Sequence, residues 1–257
     1  MTYPVLKDKV AIVTGAAMGM GEATARLFAS AGAKVVVADF NTEKGNAVVA
    51  DIKAGGGEAT FVHVDISKAD QVEAMVAATV KAYGRLDVAV NNAALTPDDK
   101  PAHEFDEAYW DRLMNVDLKG TALCLKYELR QLREQGHGGS IVNISSVSGF
   151  RPQPNNLAYV AAKHGVNGLT KVAALENGPL NIRVNTVAPG AIDTPMLRDA
   201  LEQFGLDPVT YAPQLSLLNR FAKADEVAQA SLWLASDASS YVTGTVIHVD
   251  AGYVQGR

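Results

Sequence analysis

The chain holds a single cysteine, Cys124, in 257 residues. A lone cysteine cannot form an intrachain disulfide and suits a reducing cytosol, so a cytoplasmic location is expected. No run of 18 apolar residues suggests a membrane-spanning helix. The N-terminus has no basic region followed by an apolar stretch, so no signal peptide is expected. The five histidines make no His-x-x-x-His pair and have no cysteine cluster beside them, so no metal site is expected. A Gly-x-Ser-x-Gly elbow and a phosphate loop of the Lys-Ser/Thr type are both missing. Their absence disfavours serine hydrolases and P-loop nucleotide hydrolases. Positive charge is also in short supply. The net charge of −5 argues against nucleic acid or an anionic membrane as partner.

What is present reads as a soluble globule, 48% hydrophobic and 20% charged. Apolar runs and helical periodicities alternate along the whole length. Strands are predicted near 9–14, 34–39, 59–64, 88–91, 140–145, 182–187 and 246–249. Helices are predicted near 19–31, 42–54, 69–83, 106–135, 157–175 and 223–234. That order predicts a Rossmann-type doubly wound parallel sheet with helices on both faces, a three-layer α/β/α fold. No repeat or composition shift marks a second domain, so 1–257 is expected to be one unit. In such sheets ligands gather at the carboxyl ends of the strands. Gly15, Asp39, Asn91, Ser146 and Pro189 all fall at such ends.

The first predicted strand runs directly into Gly15-Ala16-Ala17-Met18-Gly19-Met20-Gly21. Glycines at a strand-to-helix turn let the backbone approach a pyrophosphate, which the helix N-terminus attracts. A tight turn with close helix–strand packing would use the same glycines, and the spacing differs from Gly-x-Gly-x-x-Gly. The second strand adds a discriminating residue. It ends in Asp39, 18 residues after Gly21, where a carboxylate can bond the hydroxyls of an adenosine ribose. The same carboxylate repels a 2′-phosphate, and neither Met18 nor Phe40 supplies a cation for one. The cofactor expected is therefore NAD rather than NADP.

Tyr159 and Lys163 stand four residues apart, with Ser146 13 residues before the tyrosine. Residues i and i+4 share one helix face, so the Lys163 ammonium can lie beside the phenol and favour its anionic form. A hydroxyl such as Ser146 can hold a substrate oxygen. The trio makes a proton-transfer site suited to alcohol–ketone chemistry. The spacing alone is not specific: Tyr3 and Lys7 repeat it where Pro4 disfavours a helix.

Taken together, these pieces resemble the short-chain dehydrogenase/reductase family over nearly the whole chain. The matching motifs are Thr14-Gly15-x-x-x-Gly19-x-Gly21, Val64-Asp65, Asn91-Asn92-Ala93-Ala94, Asn115-Val116-Asp117, Asn143-Ile144-Ser145-Ser146, Tyr159-x-x-x-Lys163 and Pro189-Gly190-x-x-x-Thr194. Ala94 departs from the family's usual glycine. The resemblance implies Tyr159 as general acid in reduction and base in oxidation. It implies Lys163 as the tyrosine's partner and a holder of the nicotinamide ribose, and Ser146 as the residue that orients the substrate oxygen. Asn115 would extend a proton relay to solvent through Lys163 and water; without the other motifs it reads rather as a residue that caps or kinks its helix. The implied cofactor-binding set is Gly15, Met18, Gly19, Met20, Gly21, Asp39, Phe40, Asp65, Ile66, Asn91, Ala93, Tyr159, Lys163, Pro189, Gly190, Ile192 and Thr194. In it Asp65 and Ile66 border the adenine, Asn91 fixes the cofactor beside the fourth strand, and Ile192 and Thr194 meet the carboxamide.

The substrate side is less defined. Segment 196–221 lacks a clear period and carries Pro208 and Pro213, which suggests a helical lid near 195–221. Leu95, Phe150, Pro152, Met196, Leu197, Phe204, Tyr211 and Leu215 predict an apolar pocket, with Arg151 and Gln153 as polar contacts or solvated loop residues. Such a pocket suits a ketone or secondary alcohol of moderate size, cyclic or aromatic. The alternative within the family is a 3-oxoacyl-carrier-protein reductase, usually an NADPH enzyme, which Asp39 disfavours. A dinucleotide-binding protein without turnover is the reading from a different class. Helix 157–175 has more apolar positions than one buried stripe needs. In the resembling family such helices pair across a two-fold axis, and 246–257 could add a second contact, so a homotetramer is expected, or failing that a dimer.

Overall fold

Residues 5–203 and 205–256 are described by a computed structural model of the chain. Tyr3 and Phe204, both named above, lie outside them. Strand β1, Val10–Thr14, is buried at every position. It leads through the glycine turn into α1, Gly19–Ser30. Then follow β2 (Lys34–Asp39), α2 (Thr42–Ala54), β3 (Glu58–His63), α3 (Ala69–Tyr83) and β4 (Val88–Asn91). The second half continues with α4 (Glu107–Leu113), a π turn at Met114–Gly120, α5 (Thr121–Gln135), β5 (Gly139–Ile144), α6 (Leu157–Asn177) and β6 (Ile182–Pro189). A short strand β7 (Ile192–Asp193) opens the segment that holds α7 (Pro195–Gln203) and α8 (Pro208–Leu215), and β8 (Ala222–Lys223) closes it. Last come α9 (Ala224–Ala235), β9 (Val246–Val249) and α10 (Tyr253–Gly256).

Seven strands form one parallel sheet in the order β3-β2-β1-β4-β5-β6-β9. The doubly wound fold read from the strand–helix alternation is the one observed. The winding reverses between β1 and β4, which opens a crevice at the carboxyl ends of those strands. Alternate side chains of a strand face opposite layers. Thus Ala11, Val13, Val35 and Val37 join Phe28 of α1, Val48 of α2 and Leu234 of α9. Ile12, Val36 and Ala38 join Met75 of α3, Leu132 of α5 and Ala173 of α6. Fully burying one side chain such as Phe28 contributes about 1.5–3 kcal/mol.

Two features depart from the sequence pattern. The helix expected over 106–135 is interrupted by the π turn, whose wider coil a 3.6-residue pattern does not reveal. Its last residue, Gly120, packs against Ile66, where a Cβ would lie 2.8 Å from the isoleucine side chain. Thr121 Oγ1 donates to the Asp117 carbonyl at 2.8 Å. Segment 195–221, expected to be helical, holds the two helices α7 and α8. A parallel ribbon, Ile192 with Ala222 and Asp193 with Lys223, ties its two ends together. Among the described residues no helix is long and apolar enough to cross a membrane, and no cluster of histidine, cysteine and carboxylate could hold a metal ion.

Candidate active site

The ends of β1, β2, β4 and β5 border a cleft of about 730 Å³. At its floor, Gly15 and Gly19 have φ of +65° and +59°, left-handed values that glycine adopts without strain. A Cβ on Gly21 would lie 2.0 Å from the Gly15 carbonyl oxygen. The turn and the first coil of α1 are therefore pressed together, and any side chain there would drive the turn into the cleft. Asn92 holds the turn from the β4 side. Its Nδ2 donates to the Thr14 and Gly15 carbonyls at 3.0 and 3.1 Å. The N-cap residue of α1, Met18, makes no side-chain cap bond, so the leading N–H groups lack the partner a capped helix would have. That is a cradle for an anion.

Asp39 stands on the rim of the same cleft. Its Oδ2 accepts from the Ala17 N–H at 2.9 Å and its Oδ1 from the Asn41 N–H at 2.8 Å. The carboxylate is thereby locked to the glycine turn. Phe40 beside it is 69% exposed. Further along, Asp65 Oδ1 accepts from the Ser67 N–H and hydroxyl at 2.9 and 2.7 Å, and Ile66 is nearly buried against Gly120.

At the other end of the cleft, Lys163 Nζ lies 5.2 Å from the Tyr159 ring centroid. The i, i+4 spacing puts both on the face of α6 that lines the cleft. Nζ is also 3.3 Å from Asp117 Oδ2 and 3.5 Å from the Ile144 carbonyl. Burial acts to lower the Lys163 ammonium, but Asp117 and Tyr159 outweigh it and hold it above its ordinary value. Burial pushes the Asp117 carboxyl upward, against the pull of Lys163 and of the Leu95 N–H, which donates to Oδ1 at 2.8 Å. Ser146 ends the approach from β5, its Oγ accepting from the Ser148 N–H at 3.1 Å. Ser145, expected to be structural, is buried and donates to the Lys163 carbonyl at 3.0 Å.

A family model described as enoyl-(acyl carrier protein) reductase matches residues 15–254, nearly the whole chain. The chain belongs to the short-chain dehydrogenase/reductase family. The short chain dehydrogenase/reductase astE of Aspergillus oryzae is 51% identical over 248 residues, 96% of this chain and 95% of that protein. A 2,5-dichloro-2,5-cyclohexadiene-1,4-diol dehydrogenase of Sphingobium indicum is 44% identical over 249 residues, 96% of this chain and 98% of that one. The crystal structure of levodione reductase superposes with a TM-score of 0.93 at 37% identity, covering 98% of this chain and all of the other. Proteins of this family use a nicotinamide dinucleotide. The residues present fit one: the anion cradle at Gly15–Gly21, the carboxylate at the end of β2 and the Tyr159–Lys163 pair open on one cleft.

In this short-chain dehydrogenase/reductase the expected site residues divide into two groups. Gly15, Met18, Gly19, Met20, Asp39, Phe40, Asp65, Ile66, Ala93, Asn115, Tyr159, Lys163 and Thr194 line the cleft. The others are not among its lining: Ser146, expected to hold the substrate oxygen, is buried with its Oγ on the Ser148 N–H, and the rest serve the frame behind the cleft. Gly21 packs on Gly15. Asn91, expected to touch the cofactor, is buried and donates its amide to Glu128 Oε2 and Asn143 Oδ1, both at 3.0 Å. Pro189 ends β6, and the Gly190 N–H donates to the Val249 carbonyl at 2.9 Å. Ile192, expected at the carboxamide, has its side chain in the core beneath α1. Asn115 is exposed at the rim, its Oδ1 accepting from Lys119 Nζ at 3.4 Å. The neighbour that reaches Lys163 is Asp117, because the π turn carries it inward. Sequence reasoning gave Asp117 no role, although it stood in the Asn-Val-Asp motif.

The substrate side also differs in part. Leu95 and Met196 line the cleft. Leu215 instead lines a separate cavity of about 330 Å³ with His248, and Phe150 packs edge-on against that histidine at 4.6 Å. Arg151 is neither a cleft residue nor free. Its guanidinium stacks on Tyr253 at 4.6 Å and donates to the Tyr253 carbonyl at 3.1 Å.

Proposed function

We propose that this chain is an NAD-dependent oxidoreductase that interconverts a secondary alcohol and a ketone. The observation that carries the reading is a single cleft with Asp39 locked at one end and Tyr159 beside Lys163 at the other. The bound dinucleotide supplies or accepts the hydride; the chain manages binding and the proton. The turn Gly15–Gly21, with Met18 and Met20, holds the pyrophosphate. Asp39 bonds the adenosine ribose and repels a 2′-phosphate, with Phe40 beside it. Asp65, Ile66 and Ala93 border the adenine half, and Thr194 meets the nicotinamide end. Tyr159 gives its proton to the carbonyl oxygen in reduction and takes it back in oxidation. The Lys163 ammonium favours the phenolate, and Ser146 orients the oxygen. Asn115 opens this proton path to solvent at the rim.

Leu95 and Met196 make an apolar wall, which suits a cyclic ketone. The ring named in the Sphingobium relative's substrate supports that choice. The whole of 1–257 acts as one unit, with 195–221 as the lid over the substrate. The single buried cysteine supports a cytoplasmic location. The reading is tested by NADH oxidation against a panel of cyclic and aromatic ketones, with Tyr159→Phe as control. Turnover in that variant is expected to fall by about 100-fold or more while NADH still binds. Near-native turnover with chemistry rate-limiting would overturn it.

A second reading is a 3-oxoacyl-carrier-protein reductase, supported by a Thermotoga maritima relative of that description, 42% identical over 253 residues. Faster turnover of 3-oxoacyl thioesters with NADPH than of cyclic ketones with NADH would favour it. The Tyr159–Lys163 pair stands against a purely dinucleotide-binding role.

Part of the apolar surplus of α6 is packed within the chain, as at Ala162, Val166 and Ala173, but Val172 and Leu175 are 56% and 81% exposed. That open face supports a homotetramer, with a dimer as the smaller alternative.

A further inference from the structure

We propose that Asp98 is a positioning residue for the general acid, a role that rests on the reading of Tyr159 above. Helix α6 begins without a cap of its own, because Asn156 makes no side-chain cap bond. The first N–H groups of a helix need partners from elsewhere. Here the N–H groups of Ala158 and of Tyr159 itself donate to Asp98 Oδ2 and Oδ1, each at 3.0 Å. The cap thus comes from a loop about 60 residues earlier in the chain, between β4 and α4. A carboxylate at this end also complements the helix dipole.

The grip is reciprocal. The Asn156 amide donates to the Asp98 carbonyl, and Lys100 and Asn156 form a parallel bridge. The same loop is anchored again a few residues earlier. The Leu95 N–H donates to Asp117, the carboxylate that faces Lys163, and the Thr96 carbonyl accepts from the Tyr109 hydroxyl at 2.6 Å. Segment 95–98 therefore spans the pair: one end reaches Lys163 through Asp117, and the other holds the backbone of Tyr159. Leu95 on this segment also lines the cleft. The wall that meets the substrate and the frame that aims the phenol are one piece. Proton transfer depends on placement to within about 1 Å, so a loosened frame lowers kcat before it weakens binding. An ordinary cap would affect stability alone.

The test compares native enzyme, Asp98→Ala and Asp98→Asn well below their unfolding temperatures. Four quantities are read: kcat, KM for the ketone, NADH affinity by fluorescence titration, and hydrogen exchange at the amides of 158 and 159. In Asp98→Ala we expect faster exchange at both amides and kcat lower by about 10-fold or more, with NADH affinity within about twofold of native. Asp98→Asn, which keeps one acceptor for the helix, should fall between. Unchanged exchange in Asp98→Ala defeats the clamp. Faster exchange with unchanged kcat reduces Asp98 to a plain cap and defeats the positioning role. A native protein inactive on every ketone defeats the reading of Tyr159 and this role with it, while the exchange data still show whether Asp98 holds the helix.

Discussion

Lys163 Nζ lies 3.3 Å from Asp117 Oδ2, and both side chains are closed off from solvent. The carboxylate offsets the burial that would otherwise strip the ammonium of its proton. With its folded value raised above the ordinary 10.5, Lys163 contributes stability that is fully present below that pH. The contribution is lost as pH rises through the folded value. Asp117→Asn keeps an acceptor for the Leu95 N–H but removes the charge. Burial then dominates, and Lys163 gives up its proton at lower pH. We expect the alkaline limb of kcat/KM to move toward neutrality and stability to fall by about 3 kcal/mol. A pH profile and a urea titration check both, and an unmoved limb would count against the coupling.

In the proposed reading Asp39 sets the choice of cofactor. Placing a 2′-phosphate against a fixed carboxylate opposes two like charges, so native preference for NADH over NADPH should exceed about tenfold. Asp39→Asn retains an acceptor for the Ala17 or Asn41 N–H and should narrow that preference. Equal kcat/KM with the two cofactors in the native protein would contradict the assignment.

Glu128 is a buried carboxyl outside the cleft. Burial raises it from 4.5 to about 7, against a smaller downward pull from the Asn91 amide. The native protein therefore keeps a proton that the unfolded chain releases, and stability falls as pH rises from about 4.5 to about 7. The loss is about 3 kcal/mol at most. Glu128→Gln stays neutral and should escape it. Its urea midpoint should exceed native at pH above 7 and converge with native near pH 4.5. The same difference at both ends of that range would sink the argument.

Assembly is checked by light scattering at micromolar concentration. We expect a mass about four times the 27.1 kDa of one chain, and Leu175→Glu on the open face of α6 should lower it. A native mass near one chain would remove the homotetramer and the dimer together.

The parts of the site legible in sequence are those whose geometry is local. Gly15, Gly19 and Gly21 mark a turn that only small residues can make, and Tyr159 with Lys163 needs only the pitch of a helix. Asp39 follows from its place at the end of an apolar run. Ile192 and Asn91 did not reach the cleft, because a motif position says where the backbone passes and not which way its side chain faces. Ile192 lies on the ribbon with Ala222, so its side chain turns into the core. Asn91 points at Glu128 and Asn143, where a buried amide finds partners.

The sequence by itself determined the doubly wound sheet, the glycine turn and the i, i+4 pair. Each follows from a period or a steric need expressed within a few residues. Only the tertiary structure decided that α6 takes its cap from Asp98 and that Lys163 faces Asp117. It also decided that Arg151 is bound to Tyr253. These partners lie tens of residues apart in the chain. A hydrogen bond or ion pair between them exists only once the sheet has brought their loops together, and no local pattern encodes it.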